Sequence, residues 1–258
     1  MRRYWRSLMP FTILPRIDRM DWAALACCAI AATSAAPVHA QYVNGLSATV
    51  EVASDERRRG ISWSDGDPVL RGTLSLPVAE GLSLDAAAVS LWGSDRHGGA
   101  DGVADVGVTY VRQVGGWRLS AEGRYHLFPG SSHQGYGELG AGAGFLIGPA
   151  SIDLTANYAP TQSSIGGDNL YIAASAAIGV PGTPLTLSAR IGRSSGDVDD
   201  PARAARLRPD GAYWDHGVSI DYLQGRWFAG LRYANSDIDG PGSAHAGASL
   251  IARFGLSL

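Results

Sequence analysis

The sequence contains no lysine: all 21 basic residues are arginine. Against 24 acidic residues the formal net charge is −3, so the chain has no electrostatic footprint for nucleic acid. Charged residues make up only 17%, below the roughly 25% usual in soluble domains. The apolar share of 45% is nevertheless too high for a disordered chain. Cysteine occurs only as Cys27 and Cys28, both within the first 40 residues. Downstream there is no thiol nucleophile, no disulfide and no cysteine metal site. The six histidines are scattered without metal-pair spacing, so neither a metal nor a cofactor is expected. Outside the N-terminal leader no run of about 18 apolar residues occurs, which excludes a bundle of transmembrane helices.

Residues 1–40 read as a secretory signal. Arg2, Arg3, Arg6, Arg16 and Arg19 form a positive n-region, Trp22 to Ala36 is apolar and alanine-rich, and Val38-His39-Ala40 offers a cleavage site before Gln41. Two other readings are a buried N-terminal helix, and lipidation at Cys27, where Ala24 stands in place of the leucine of a lipoprotein box. Cleavage after Ala40 takes five Arg and two Asp from the totals and leaves a mature chain, 41–258, with a net charge of −6.

What the mature chain does have is period-two alternation, the mark of β-strands with two unlike faces. Leu46, Ala48, Val50 and Val52 alternate with Ser47, Thr49 and Glu51. Trp117, Leu119, Ala121 and Tyr125 alternate with Arg118, Ser120, Glu122, Arg124 and His126. On this basis twelve strands are predicted, near 46–55, 68–77, 82–92, 103–113, 117–128, 136–146, 150–159, 169–180, 185–193, 213–223, 226–235 and 244–258. The one helical candidate, Ala202 to Arg208, is short and lies between Pro201 and Pro209.

The connections alternate between short and long. Those at 56–67, 93–102, 129–135, 160–168, 194–212 and 236–243 are long and rich in Gly, Asp, Ser, Arg and Pro. A soluble sandwich has no reason to sort its loops by parity, whereas an outer-membrane barrel has short periplasmic turns and long outside loops. Strands of about 9–12 residues suit a tilted membrane crossing. Aromatics gather near strand ends: Tyr110, Trp117, Phe145, Tyr222 and Trp227 by the short turns, and Trp92, Phe128, Tyr136, Tyr158, Tyr171, Trp214 and Tyr233 by the long loops. Two such girdles are expected at the two lipid interfaces. The expected fold is therefore an all-β, antiparallel up-and-down transmembrane barrel of about twelve strands. Its partners would be outer-membrane lipid, the barrel-assembly machinery and small solutes.

The segment Ser54 to Gly72, SDERRRGISWSDGDPVLRG, resembles the N-terminal signature of an outer-membrane porin family called TorF. Shorter matches follow at Tyr125 to Gly130, Tyr136 to Gly140, Tyr158 to Thr161 and Tyr233 to Ile238. Glu56 and Arg58 stand where that family usually has aromatics, which makes the outer end of the first strand more polar here. The resemblance implies a porin-like barrel and no particular substrate.

Alternation places Glu51, Asp85, Asp105, Glu122, Glu138, Asp153, Asp215 and Asp221 on the inner face, with Arg71, Arg118, Arg124, Arg190, Arg232 and Arg253. Arg57 and Arg59 continue that face at the barrel mouth. They either focus anions toward a pore or brace the first loop against carboxylates. Gly140, Gly142 and Gly144 form an inner row beside Arg118, Glu122 and Arg124, small enough to let those side chains lie across; no helix follows, as a phosphate loop would require. Glu122 and His126 face alike with Ser131 and Ser132 after them, either a polar rim or the wall of a lipid-modifying enzyme. In the loop 194–212, Asp197, Asp199 and Asp200 precede Arg203, Arg206 and Arg208; this loop is either solvated or folds its basic half over the mouth to meet wall carboxylates such as Asp215. The function expected is a non-enzymatic diffusion channel for small solutes. The alternatives are a non-conducting structural or adhesive barrel, a lipid-modifying barrel enzyme and, more distantly, a soluble sandwich.

Overall fold

A computed structural model describes residues 45–239 and 243–258; the expected leader with Cys27 and Cys28 lies outside them. The strands are β1 (Ser47–Ala53), β2 (Arg57–Arg58), β3 (Ile61–Ser62), β4 (Val69–Ala79), β5 (Leu82–Ser94), β6 (Ala100–Val114) and β7 (Trp117–Leu127). They continue as β8 (Tyr136–Ile147), β9 (Ala150–Gln162), β10 (Gly167–Gly179), β11 (Leu185–Ser195), β12 (Tyr213–Gln224), β13 (Trp227–Ser236) and β14 (Ser249–Ser257). All but β2 and β3 form one closed antiparallel barrel, each strand beside the next in sequence. The last strand closes on the first, from Thr49↔Ser257 to Ala53↔Arg253. Closure pairs every strand on both sides and so leaves no open edge, as a sheet in lipid requires.

The outward positions are apolar and exposed: Val50, Leu84, Val106, Leu119, Leu139, Leu154, Ile172, Ile191, Val218, Leu231 and Phe254 are each at least two-fifths accessible. An apolar surface that runs right round the molecule has no place in water. The aromatic Tyr110, Trp117, Tyr222 and Trp227 stand exposed at the short-turn end, and Trp92, Tyr158, Trp214 and Tyr233 at the other. Phe128, Tyr136 and Tyr171 do not join that girdle: all three are buried within the long-loop end. Their parity explains it, because Tyr136 alternates in phase with Glu138 and Tyr171 with Ser175, both inward.

The expected strands differ most from those formed in two places, while β6 begins three residues early at Ala100 and β9 runs three further to Gln162. β14 starts at Ser249, because Ser243 to Ala246 closes a turn (Ala246 N–H donates to the Ser243 carbonyl, 2.9 Å) with His245 at φ 59°. The loop between β1 and β4 also contains an extra hairpin, β2–β3. The short helix Pro201–Ala204 occupies the start of the helical candidate; Asp200 caps it by accepting from the Ala202 N–H at 3.0 Å and the Arg203 N–H at 3.3 Å, with Pro201 at the first turn.

Register explains the glycine content of the strands. Gly144 lies directly between Arg118 on β7 and Asp153 on β9, and the two side chains pair over it at 2.7 Å. Gly140 lies between Glu122 and Asn157, and a Cβ there would fall 2.5 Å from both. Gly230 lies between Asp221 and Arg253, which pair across it at 2.6 Å. The inner glycine row is thus a bed on which charged side chains from the flanking strands lie flat.

Candidate functional site

The hairpin β2–β3 has a two-residue turn, Arg59-Gly60, with φ of 52° and 78°. Left-handed values at both central positions suit the twist of a tight hairpin, and the second is taken by glycine. That glycine is also sterically required: a Cβ on Gly60 would lie 2.6 Å from the Asp215 Cβ on β12. The hairpin leaves from between β1 and β4 and touches the far side of the barrel, so the first loop spans the lumen instead of lying over it.

Its three arginines are each anchored to carboxylates. Arg57 donates to Asp55 at 3.1 Å and to the Gly60 carbonyl at 3.1 Å. Arg58 pairs with Glu56 at 2.9 Å and with Asp105 on β6 at 2.9 Å, and its guanidinium lies 4.2 Å over the Trp63 ring. Arg59 pairs with Glu138 on β8 at 2.8 Å and lies 4.8 Å over the Tyr171 ring on β10. The Tyr213 hydroxyl donates to the Arg59 carbonyl at 2.9 Å. Glu56 is buried and also accepts from Arg71 on β4. Of the two readings of the arginine triplet, the brace is what forms, and Arg58, which strict alternation left outside it, is part of it.

Burial pushes the Glu56 carboxyl up, but Arg58 and Arg71 outweigh it and hold the group below its ordinary 4.5. A carboxyl lowered in the folded state stabilises loop docking above that ordinary value and loses the contribution as pH falls through the lowered one. Conductance is therefore expected to be flat from neutral pH to about pH 5 and to rise on further acidification as the hairpin undocks. A pH-independent current between about pH 6 and pH 3 would remove Glu56 from the latch.

The other inner residues meet as follows. Arg124 pairs with Glu122 at 2.8 Å, Arg190 with Asp215 at 2.9 Å, and Arg253 with Glu51 at 3.6 Å as well as with Asp221. Arg232 on β13 pairs with none of them. His126 shares the inner face with Glu122 but is buried between Asp105 (2.6 Å) and Glu138 (3.4 Å), so Glu122, His126 and Ser131 do not assemble a catalytic set. Among the described residues, no three His, Asp or Glu side chains gather to hold a metal ion.

The long loop between β11 and β12 does fold Arg206 and Arg208 inward, but not onto wall carboxylates, while Arg203 stays exposed beside Asp200 of the same loop at 3.5 Å. Arg206 is buried, donates to the Gln134 carbonyl (2.6 Å), the Ser164 carbonyl (2.9 Å) and the Gln134 side chain, and lies 4.7 Å over the Phe128 ring. Arg208 donates to the Gly196, Asp168 and Asp197 carbonyls at 2.6–2.8 Å. Asp215 instead accepts from Arg190 and the Tyr171 hydroxyl, both at Oδ1, and neither Arg206 nor Arg208 reaches it. Burial without a carboxylate pulls Arg206 down to about 10, still charged at neutral pH. Under this cap His97 packs against the tilted Trp63 ring (4.5 Å) and stacks on Phe128 (4.8 Å), with no hydrogen bond to either ring nitrogen among the described residues. Burial first, then Arg206, Arg96 and Arg58, hold it well below the usual histidine range and hence neutral. Sequence reasoning missed Trp63, His97 and Tyr213, set Tyr171 in the lipid girdle and gave the inward-folding Arg206 carboxylate partners; in-phase alternation was the available signal for Tyr171 and Tyr213, and there was none for His97.

A closed twelve-stranded antiparallel barrel with an apolar outside, a charged inside and a first loop folded across it has the build of the porin class. The chain belongs to the family described as "Bacterial protein of unknown function (Gcw_chp)", whose model matches residues 34–254. Among solved structures it is similar to the NanC porin (TM-score 0.56, 12% identity, covering 83% of this chain and 99% of that one) and to the KdgM porin (0.53, 10%, 82% and 96%). It is also similar to the COG4313 outer membrane channel from Pseudomonas putida F1 (0.51, 13%, 87% and 100%). At such identities the likeness is one of fold. No curated protein matches by sequence.

Proposed function

We propose that the protein is an outer-membrane porin, exported by the leader 1–40, that passes small solutes through a mixed-charge lumen constricted by its first loop. The observation that carries this reading is the hairpin β2–β3: it lies across the lumen, latched on one side to Asp105 on β6 and Glu138 on β8, with its Gly60 tip against Asp215 on β12 on the other. A loop folded into the lumen in this way narrows the path and so sets what can pass. Glu51, Arg57, Arg59, Arg71, Arg118, Glu122, Arg124, Glu138, Asp153, Arg190, Asp215 and Arg232 line the path in this reading. The TorF-like motif at Ser54 to Gly72 coincides with the crossing loop, and the similar solved structures are porins and a channel, which supports transport over enzymatic work. Lipid covers the outer belt, and the barrel-assembly machinery inserts the chain. Purified protein in a planar bilayer should give discrete single-channel steps; a folded barrel that inserts and never conducts would overturn the reading.

Orientation follows from loop length. A protease-sensitive tag at Pro201 should be cut on intact cells, whereas tags at Gly115 or Gly182, in short turns, should survive until the outer membrane is opened. Equal cutting at all three sites would refute the orientation.

A further inference from the structure

Every arginine named above on the inner wall or the crossing loop is held by a carboxylate, with one exception. Among the described residues Arg232 has no ion pair, hydrogen bond or ring contact, and its side chain is exposed on the inner face of β13. Its register partner on β12 is Ser219, whose hydroxyl lies 2.7 Å from that of Ser188 on β11. A cavity of about 200 Å³ lies between this wall and the crossing hairpin; Arg57, Ser175, Ser188, Arg190, Ser219 and Arg232 line it. Gly60, at the tip of the hairpin, borders the same space.

The charges there can be counted. Arg57 is committed to Asp55 and Arg190 to Asp215. Glu51 and Asp221, also near, share Arg253, so Arg232 is the one guanidinium there that no carboxylate contacts directly. Its guanidinium offers five N–H donors in a planar fork that matches a carboxylate through two parallel bonds. The neighbouring hydroxyls both donate and accept, which suits the second polar group of a hydroxy acid and not a purely apolar tail. One free guanidinium takes one carboxylate, and the Asp221 carboxylate, to which Ser219 also donates at 3.2 Å, opposes a dianion such as phosphate. The volume admits a small molecule and no polymer.

We infer that the Arg232 wall is a binding station for the carboxylate of a small organic acid, placed where a solute passing the first-loop hairpin must touch it. The inference rests on the channel reading for its location in a path, but the site itself is testable without conduction. Sodium lactate titrated calorimetrically into the folded, detergent-solubilised barrel should bind saturably. Arg232→Gln should weaken binding at least about tenfold, the loss expected when a charged two-pronged contact is removed. Arg232→Lys keeps the charge without the fork and should recover only part of the affinity. In a bilayer, lactate current through the native channel should saturate with concentration and become more nearly linear in Arg232→Gln. Heat-modifiable migration certifies each variant as folded. Should Arg232→Gln fail that check, Arg232→Lys and the double variant Ser188→Ala/Ser219→Ala carry the same comparison. Unaltered lactate affinity in the folded variants overturns the station, as does conduction by a native channel that binds no lactate. Lactate binding by a barrel that never conducts keeps the station and overturns the channel.

Discussion

Removing Arg57 to Ser62 should raise single-channel conductance by about twofold or more and shift the reversal potential in a salt gradient toward cations. The excised strands form a two-stranded sheet of their own, so no rung of the barrel ladder is lost. What is lost is the bar across the lumen and three positive charges. Asp105 and Glu138 stay behind on the wall without the arginines that neutralised them, and Glu56 keeps only Arg71. An opened lumen lined by uncovered carboxylates attracts cations. If conductance and selectivity both match the native channel, the hairpin is not the constriction and current passes elsewhere.

The second large effect is on assembly. Phe254 is about half exposed on the outer belt and stacks on Trp227 with ring centroids 5.4 Å apart. Leu256 pairs with Val50 across the closing seam and with Trp227 on the other side. Replacing both by Asp sets two carboxylates against lipid, at about 1–4 kcal/mol each depending on depth. Set against a typical net stability of about 5–15 kcal/mol, that is enough to stop the seam from closing. The double variant should show no heat-modifiable band on a gel; normal migration would mean that this face does not meet lipid.

The barrel was legible because its physics is local. Alternation, loop parity and strand length each follow from a pattern a few residues wide, and the short-turn boundaries came out nearly as predicted. The pairing of inner charges followed less well. Alternation put Arg118 and Asp153 on the same face, but that they meet over Gly144 depends on register between three strands, which no single stretch encodes. The interior of the mouth was least legible. His97, Trp63 and Phe128 come from three different loops or strand ends and meet only after closure. Assigning Phe128, Tyr136 and Tyr171 to the lipid girdle gave weight to their position near strand ends over their parity, and parity was the stronger constraint. Similarly, acid-then-base order in 194–212 pointed to ion pairing, whereas buried arginine can also be satisfied by main-chain carbonyls, as Arg206 and Arg208 are.

The glycine bed inverts the usual expectation about which positions tolerate drift. Arg118 and Asp153 can exchange places as a pair, because what spans β8 is a contact between opposite charges and not a particular orientation. Gly144 beneath them is tied to the pair, since a methyl group there would occupy the space in which the carboxylate lies and the two flexible side chains would have to move off it. Over long divergence the charged rows should therefore shuffle, swap sign in pairs and migrate along the wall, and a residue larger than glycine should enter between them only where the pair above has moved aside.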